Sequence, residues 1–302
     1  MTRHERASPR PALPRRVDPR SRRNPLTKLL RVLNWMIDAR GEAWGVRELG
    51  QGMGLAPSTV HRILGLLEAH GLVQSDPTTR GYRLGLEFHR MAWRTTARFS
   101  VRQVALPLMR ELVGRCNETA GLGLYDHVRM EMIVAEVVES THPLRYVIAL
   151  NQWMPVYTGA SGLAIMAFLP EEERRAIIDR TKLRPLTDRT IVRRAQLEQE
   201  LRRIRQQGYA RSIGQRIPSA VGVAAPIVGP AGRVIGDLWL TIPESRFQPR
   251  AEAQLASLVI DYARRVSELL GRPVVPVGPS PADAVRRRRG GDVGMDGRSG
   301  RR

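Results

Sequence analysis

One segment near the N-terminus carries two helical hydrophobic periods in succession. Val46, Leu49 and Met53 are spaced by three and four residues, which predicts one face of a helix that ends at Gly54. Pro57 suits the first position of a second helix, where its missing N–H costs nothing. The inward stripe of that second helix is Val60, Ile63, Leu64 and Leu67. Two helices joined by a glycine turn predict a helix-turn-helix.

The hydrophobic pattern changes from helical to strand-like directly after these helices. Residues 72–75 and 82–84 are typical of a hairpin about the turn at residues 76–81, which contains Asp, Pro and Gly. A hairpin at this place completes a winged helix-turn-helix. A further helical stripe upstream is expected to pack against both helices, and it consists of Leu26, Leu29, Leu30, Leu33 and Ile37.

Polar residues of the second helix and of the wing are the candidates for DNA contact. Ser58, Thr59, His61 and Arg62 face away from the inward stripe, and Arg80 is expected near the wing tip. An arginine can donate two hydrogen bonds to guanine, and small hydroxyls can bind bases or phosphates. The alternative is a helical hairpin with a solvated polar face, in which the wing arginine only aids solubility.

The chain divides into five parts by composition and pattern. We expect a disordered basic arm over residues 1–25, the winged helix-turn-helix over residues 26–84 and a linker helix over residues 85–99. A larger domain follows over residues 100–272, and a second disordered basic tail covers residues 273–302.

The larger domain mixes helices and strands. The predicted strands cover residues 121–125, 130–138, 144–150, 209–213, 223–228 and 233–241. The predicted helices include residues 104–113, 161–169, 171–180, 192–207 and 249–270. This order predicts an α+β fold in which helices flank an antiparallel sheet.

The formal net charge of +20 is divided between the ends and the folded part. The first 25 residues contribute +6 and residues 273–302 contribute +4, so half of the excess lies in the expected arm and tail. The rest still favours polyanions such as DNA, although charge describes attraction and not function.

The sequence holds few groups for chemistry. Cys116 is the only cysteine, so an internal disulfide is excluded, and we expect it to be buried and inert. No HExxH, GxSxG, Walker loop or Cys/His cluster occurs. No enzyme, metal or cofactor is therefore expected, although an enzyme built on the larger domain stays as a weaker alternative. No apolar run is long enough to span a bilayer, so we expect a cytoplasmic protein.

The order of these motifs resembles the IclR family of bacterial transcription regulators. The resemblance covers residues 26–271 and rests on Ser-Thr-Val-His-Arg at residues 58–62, the helix after Gly159, and Gly-Tyr-Ala at residues 208–210 leading into Ala-Ala-Pro. It implies a GAF-like domain that binds a small organic acid, and a homodimer or homotetramer on a near-palindromic operator in double-stranded DNA. A dimer is also expected physically, because one recognition helix reads few base pairs.

The resemblance places the effector pocket beside the helix that starts near Gly159. It implies anion contacts from Gly159, Ala160 and Ser161, because backbone N–H groups at a helix N-terminus can receive an anion. It implies wall or polar contacts from Ser212, Ala220 and Gly222. For Ser161 the alternative is a plain N-terminal cap.

Three departures from the family's pattern change the expected pocket. Leu163 stands where many relatives have Lys, Ser212 and Ile213 where many have an acidic residue, and Gly222 where others have Cys or Ser. We therefore expect a roomier and less acidic pocket in which Arg216 neutralises a ligand carboxylate, the alternative being an arginine that faces solvent.

Together these features predict a ligand-responsive regulator of a catabolic operon. Regulators of aromatic degradation in the family make an aromatic acid the first candidate effector. The alternative is a constitutive DNA-binding protein with a vestigial sensor domain.

Overall fold

The structure, a computed structural model, describes residues 24–39, 41–98, 100–229 and 232–270. They fall into two compact units that divide after residue 99, and each unit is described by itself. The predicted basic arm and tail lie outside the described residues, except that Asn24 and Pro25 belong to the start of the first helix.

The described residues of the N-terminal unit form four helices and a hairpin. Its elements are α1 (Pro25–Asp38), α2 (Val46–Met53), α3 (Pro57–Ala69), β1 (Val73–Asp76), β2 (Gly81–Leu84) and α4 (Leu86–Arg98). The predicted winged helix-turn-helix is confirmed. Gly54 ends α2 with a left-handed φ of 64°, which suits glycine because it has no Cβ. The linker predicted over residues 85–99 corresponds to α4, and its linking role stays a prediction.

The helices of this unit share one core, but α1 uses a different face from the predicted one. The inward stripe of α3 is buried as expected. In α1 the buried residues are Val32 and Met36, whereas Leu26 is 70% exposed and Leu30 is 57% exposed. The predicted face is therefore wrong for Leu26, Leu30 and Ile37, which are exposed, whereas Leu29 packs against the core as expected.

The C-terminal unit is an α+β domain. Its helices are α5 (Ser100–Cys116), α6 (Gly159–Phe168), α7 (Glu171–Arg180), α8 (Arg194–Gln207) and α9 (Glu252–Leu269), the last preceded by a 3₁₀ turn at Pro249–Ala251. Its strands are β3 (Thr119–Asp126), β4 (Glu131–Val138), β5 (Met154–Pro155), β6 (Ala210–Ile213), β7 (Ala220–Val228) and β8 (Val234–Pro243).

The six strands form one antiparallel sheet in the order β5-β4-β3-β8-β7-β6. One face packs on α5 and α9 through residues such as Leu238 and Leu240 of β8. The other face packs on α6, α7 and α8 through residues such as Ala224 and Trp239. Alternate residues of β8 therefore serve two separate hydrophobic layers, and the sheet carries helices on both sides, as predicted.

The strand predicted over residues 144–150 is wrong. This part of the chain has no regular secondary structure, and Val147 is 89% exposed. Its apolar residues suggested a strand, but the edge of the sheet beside β4 is taken by the two-residue strand β5. The irregular segment over residues 139–153 instead contributes Val147 and Ile148 to a cavity described below.

Cys116 is the last residue of α5 and is half-buried instead of buried. Its thiol donates to the carbonyl oxygen of Leu112 at 3.2 Å. Burial raises the pKa of the Cys116 thiol, so little reactive thiolate forms at neutral pH, in agreement with the expected inertness.

Candidate functional site

The first candidate surface lies on α3. Ser58, His61 and Arg62 are exposed and Thr59 is half-buried, while the opposite face of the helix is in the core. Among the described residues, no hydrogen bond uses the side chains of Ser58, His61 or Arg62, so these groups are available to a partner. α3 begins at Pro57, and its leading turn therefore presents small hydroxyls and a guanidinium, as a recognition helix requires.

The wing is held in shape by its own turn and by the preceding chain. The Asp76 carboxylate accepts hydrogen bonds from the amides of Thr78 at 2.8 Å and Thr79 at 3.4 Å. The backbones of Trp44 and Tyr82 exchange two hydrogen bonds of 2.9 Å, which tie the hairpin to the core. Arg80 stands exposed at the end of this turn with a left-handed φ of 52°.

The second candidate site is a cavity of about 260 Å³ between α6 and the sheet of the C-terminal unit. This volume lies just below the roughly 300–1,000 Å³ of common ligand pockets, so the cavity suits a small ligand. The cavity is lined by every residue for which the sequence predicted a ligand role: Gly159, Ala160, Ser161, Ser212, Arg216, Ala220 and Gly222. The structure thus brings these residues together, and their binding roles stay predictions.

One end of the cavity is the open N-terminus of α6. Thr158 is the N-cap residue, but its side chain makes no capping bond and donates to the carbonyl oxygen of Gln215 at 3.0 Å. The first amides of α6 therefore lack a side-chain acceptor. Gly159 has a left-handed φ of 75°, and a Cβ at this position would lie 3.2 Å from the Cβ of Arg216. The glycine lets the stem of Arg216 pack directly against the start of the helix.

Arg216 is a cation without a carboxylate partner in the described part of the chain. Its guanidinium contacts the sulfur of Met154, and burial lowers the pKa of Arg216 while Tyr157 acts in the opposite direction. Because the ordinary pKa of arginine lies far above neutral pH, the group stays charged there. The stem of Arg216 packs against the start of α6, whose N-cap side chain makes no capping bond, so the arginine charge and the helix N-terminus both add positive potential to the cavity.

Hydroxyl groups from three elements fix the loop at residues 214–219 that carries Arg216. Thr158 and Thr190 both donate to the carbonyl oxygen of Gln215, Thr190 at 2.6 Å. Tyr146, from the irregular segment 139–153, donates to the carbonyl oxygen of Ser219 at 2.7 Å. The position of Arg216 is therefore set by the surrounding structure and not by the loop alone.

Another polar group of the cavity is the hydroxyl of Ser161, which donates to the Asp237 carboxyl group at 2.9 Å. The alternative interpretation of Ser161 as an N-terminal cap is wrong, because the N-cap residue of α6 is Thr158, three residues before Ser161. Asp237 is completely buried, and burial raises the pKa of Asp237 to about 8 against the lowering effect of the Ser161 bond.

Sequence reasoning missed a polar stripe on β8. Asp237, Trp239 and Thr241 occupy alternate positions of this strand and face the α6 side of the sheet, where Trp239 and Thr241 line the cavity. The indole N–H of Trp239 is buried with no hydrogen-bond partner among the described residues. The sequence does contain a signal for this stripe, because three polar or amphipathic residues alternate in a strand that is otherwise apolar. That alternation places them on one face of the sheet, but it does not show that the face borders a cavity.

The expectation of a roomier pocket at Gly222 does not hold. A Cβ on Gly222 would lie 2.9 Å from the Cβ of Ala160 and 3.2 Å from the Ser212 hydroxyl. The space that a side chain would use is already filled, so the glycine allows α6 to approach β7 closely instead of enlarging the cavity.

The described residues also bear on metal sites and on membrane-spanning helices. No group of three or more His, Cys, Asp or Glu side chains in this part of the chain is placed to hold a metal ion. Within the same residues, no helix has the length and apolar character needed to cross a membrane.

Two known families of protein domains match most of the chain. Residues 93–268 match the family described as bacterial transcriptional regulator IclR C-terminal, and residues 25–77 match the IclR helix-turn-helix domain. The chain belongs to the IclR family. Like other IclR-family members it is a transcriptional regulator with a DNA-binding helix-turn-helix and a C-terminal effector domain.

Two named relatives are similar over most of their length. HTH-type transcriptional regulator Rv1719 of Mycobacterium tuberculosis is 37% identical over 242 residues, covering 79% of this chain and 88% of the relative. HTH-type transcriptional regulator KipR of Bacillus subtilis is 30% identical over 224 residues, covering 74% and 88%. Both are named as regulators and not as enzymes.

Solved structures share the IclR architecture. A putative IclR regulator from Silicibacter sp. superposes with a TM-score of 0.73 at 24% identity, covering 85% of this chain and all of that chain. An IclR homolog from Microbacterium hydrocarbonoxydans, crystallised with 4-hydroxybenzoate, has a TM-score of 0.71 at 23% identity and covers 82% and 99%. These likenesses support the fold described above.

Proposed function

We propose that the protein senses a small organic acid and changes its affinity for an operator in response. The observation that carries this proposal is the placement of Arg216 at the wall of a largely apolar cavity: its guanidinium has no carboxylate partner among the described residues, and its stem packs against the uncapped N-terminus of α6. A carboxylate is the ligand that both groups stabilise, because each supplies N–H donors and positive charge.

The output of the proposed switch is the exposed face of α3 together with the wing. Ser58, Thr59, His61, Arg62 and Arg80 contact the DNA in this proposal. Two copies of the chain, as a homodimer or within a homotetramer, bind a near-palindromic operator of a catabolic operon, because two recognition helices supply the specificity that one lacks. The acid acts only if it binds one arrangement of the dimer better than the other.

The test uses the full-length protein and a DNA fragment that the protein itself selects from a random library. Fluorescence anisotropy then measures DNA affinity while single acids are added, beginning with 4-hydroxybenzoate, benzoate, lactate and propionate. At least one acid is expected to change the DNA affinity, and calorimetry is expected to show that Arg216→Gln weakens its binding by about 10- to 100-fold.

The matched control is Arg233→Gln, which removes the same charge from an exposed position outside the cavity. This control is expected to bind the acid as the native chain does. If no acid binds or alters DNA affinity, the protein is a constitutive DNA-binding regulator with a vestigial sensor domain, and the proposal is wrong.

A further inference from the structure

Behind Ser161, which lines the cavity, lies an acidic group, Asp237, that does not itself belong to the cavity wall. Asp237 is fully buried, and the only hydrogen-bond partner of its carboxyl group among the described residues is the Ser161 hydroxyl. Its second oxygen, Oδ2, has no partner in the same part of the chain. A buried polar group with so little compensation costs stability, so its presence beside a cavity is a pointer to a role there.

The neighbouring strand is shaped to admit this carboxyl group. Gly123 of β3 pairs with Asp237, and a Cβ on Gly123 would lie 2.0 Å from Asp237 Oδ1 and 2.8 Å from the terminal methyl of Met132. The absent side chain leaves the space in which the carboxyl group, Met132 and the Ser161 hydroxyl meet. The Ser161 hydroxyl lies 3.6 Å from the Met132 sulfur, at the cavity wall.

Ser161 therefore presents two different groups to the cavity region. Its backbone lies in the first turn of α6, close to the positive end formed with Arg216. Its hydroxyl hydrogen is committed to Asp237, so the lone pairs of Oγ are what the hydroxyl can offer to a bound molecule. An acceptor of this kind favours a ligand group that donates a hydrogen bond.

We propose that Asp237 is a positioning residue that holds the Ser161 hydroxyl as a hydrogen-bond acceptor, so that the cavity selects acids bearing a second, uncharged donor group such as a hydroxyl. This inference rests on the proposed acid-sensing function and specifies its ligand class. The carboxylate of the ligand lies at the Arg216 end, and the donor group lies at the Ser161 end. An acid without that donor leaves the acceptor unpaired once the ligand has displaced water from it, which lowers affinity.

The test compares acids that differ only in the donor. Calorimetry on the full-length protein measures the affinity of 4-hydroxybenzoate against 4-fluorobenzoate and of lactate against propionate. In the pair whose members fit the cavity, the acid with the hydroxyl group is expected to bind at least about tenfold more tightly than the acid without it. Ser161→Ala is expected to bring this ratio close to one.

Two variants of Asp237 separate positioning from a merely structural effect. Asp237→Asn keeps an acceptor oxygen for the Ser161 hydroxyl and is expected to retain the native ratio, whereas Asp237→Ala is expected to lose it. A structural defect weakens both acids of a pair and leaves their ratio unchanged. Ser161→Ala provides the same readout if Asp237→Ala does not fold.

The outcomes distinguish this inference from the proposed function. Equal binding of both members of a pair by the native protein overturns the inference and leaves acid sensing intact. A native ratio retained in Ser161→Ala overturns it as well. The inference is also overturned if the cavity selects an acid whose only polar group is its carboxylate. If none of the acids binds, both the acid-sensing function and this inference fail.

Discussion

The burial of Asp237 makes the stability of the C-terminal unit depend on pH. Burial raises the pKa of Asp237 from 3.8 to about 8 in the folded chain, although the Ser161 hydrogen bond opposes the shift. Between these two values the folded state keeps a proton that the unfolded chain has lost. The associated stability is therefore fully present below about pH 4 and falls as the pH rises towards 8.

The size of this effect follows from the shift. Each pKa unit corresponds to about 1.36 kcal/mol, so a shift of about four units sets a ceiling of roughly 5 kcal/mol. Local relaxation and water entry reduce the penalty for ionising a buried acid, so we expect a loss of roughly 2–4 kcal/mol between pH 5 and pH 8. Asp237→Asn cannot ionise and is expected to remove this loss.

The assay is urea unfolding of the full chain at pH 5, 6, 7 and 8. Hydrogen-exchange mass spectrometry on peptides from β7 and β8 reads the C-terminal unit separately from the helix-turn-helix. Asp188→Asn, at an exposed position, is the matched control and is expected to keep the native pH slope. If Asp237→Asn and the native chain lose the same free energy of unfolding between pH 5 and pH 8, the reasoning about the buried proton is refuted.

Three further predictions concern the DNA-binding unit and the tail. Arg62→Ala is expected to weaken specific operator binding by about 1–3 kcal/mol if Arg62 reads a base edge, measured by anisotropy with the charge-matched Arg233→Ala as control; an unchanged footprint and affinity contradict that role. Leu64→Ala, in the buried core of α3, is expected to cost about 3–5 kcal/mol of unfolding free energy, whereas Leu66→Ala, at a residue that is 53% exposed, should cost little; equal losses contradict the described core. Removal of residues 273–302 is expected to reduce the salt dependence of DNA binding without changing the preferred sequence, and a changed preference in an in vitro selection refutes the idea of a non-specific tail.

The helix-turn-helix was predictable from sequence because its signals are local. A glycine after one periodic helix and a proline at the start of the next fix both helices without knowledge of the rest of the chain. The face of α1 was not predictable in the same way. Leu26 and Val32 both lie on apolar stripes, and only the positions of α2 and α3 decide which of them is buried.

The candidate cavity was predictable in part. Its positive end comes from two short segments, near Gly159 and Arg216, that the family resemblance indicates directly. The Asp237 carboxyl group behind Ser161 was missed because its setting depends on Gly123, which is more than a hundred residues earlier in the chain and next to it only in the sheet. The pattern of one strand does not reveal which residues on the neighbouring strand are small.

The close packing at Gly222 has a mechanical consequence for any effector response. Because the methyl group of Ala160 fills the space above Gly222, α6 cannot sink further towards β7, and the two elements behave as one stiff block. An effector held at the start of α6 also meets two segments outside the helices and strands, namely the irregular segment 139–153 and the loop 214–219, which are joined by the hydrogen bond from Tyr146 to Ser219. We expect an effector to displace these two segments, while α6 and the sheet keep their positions relative to each other.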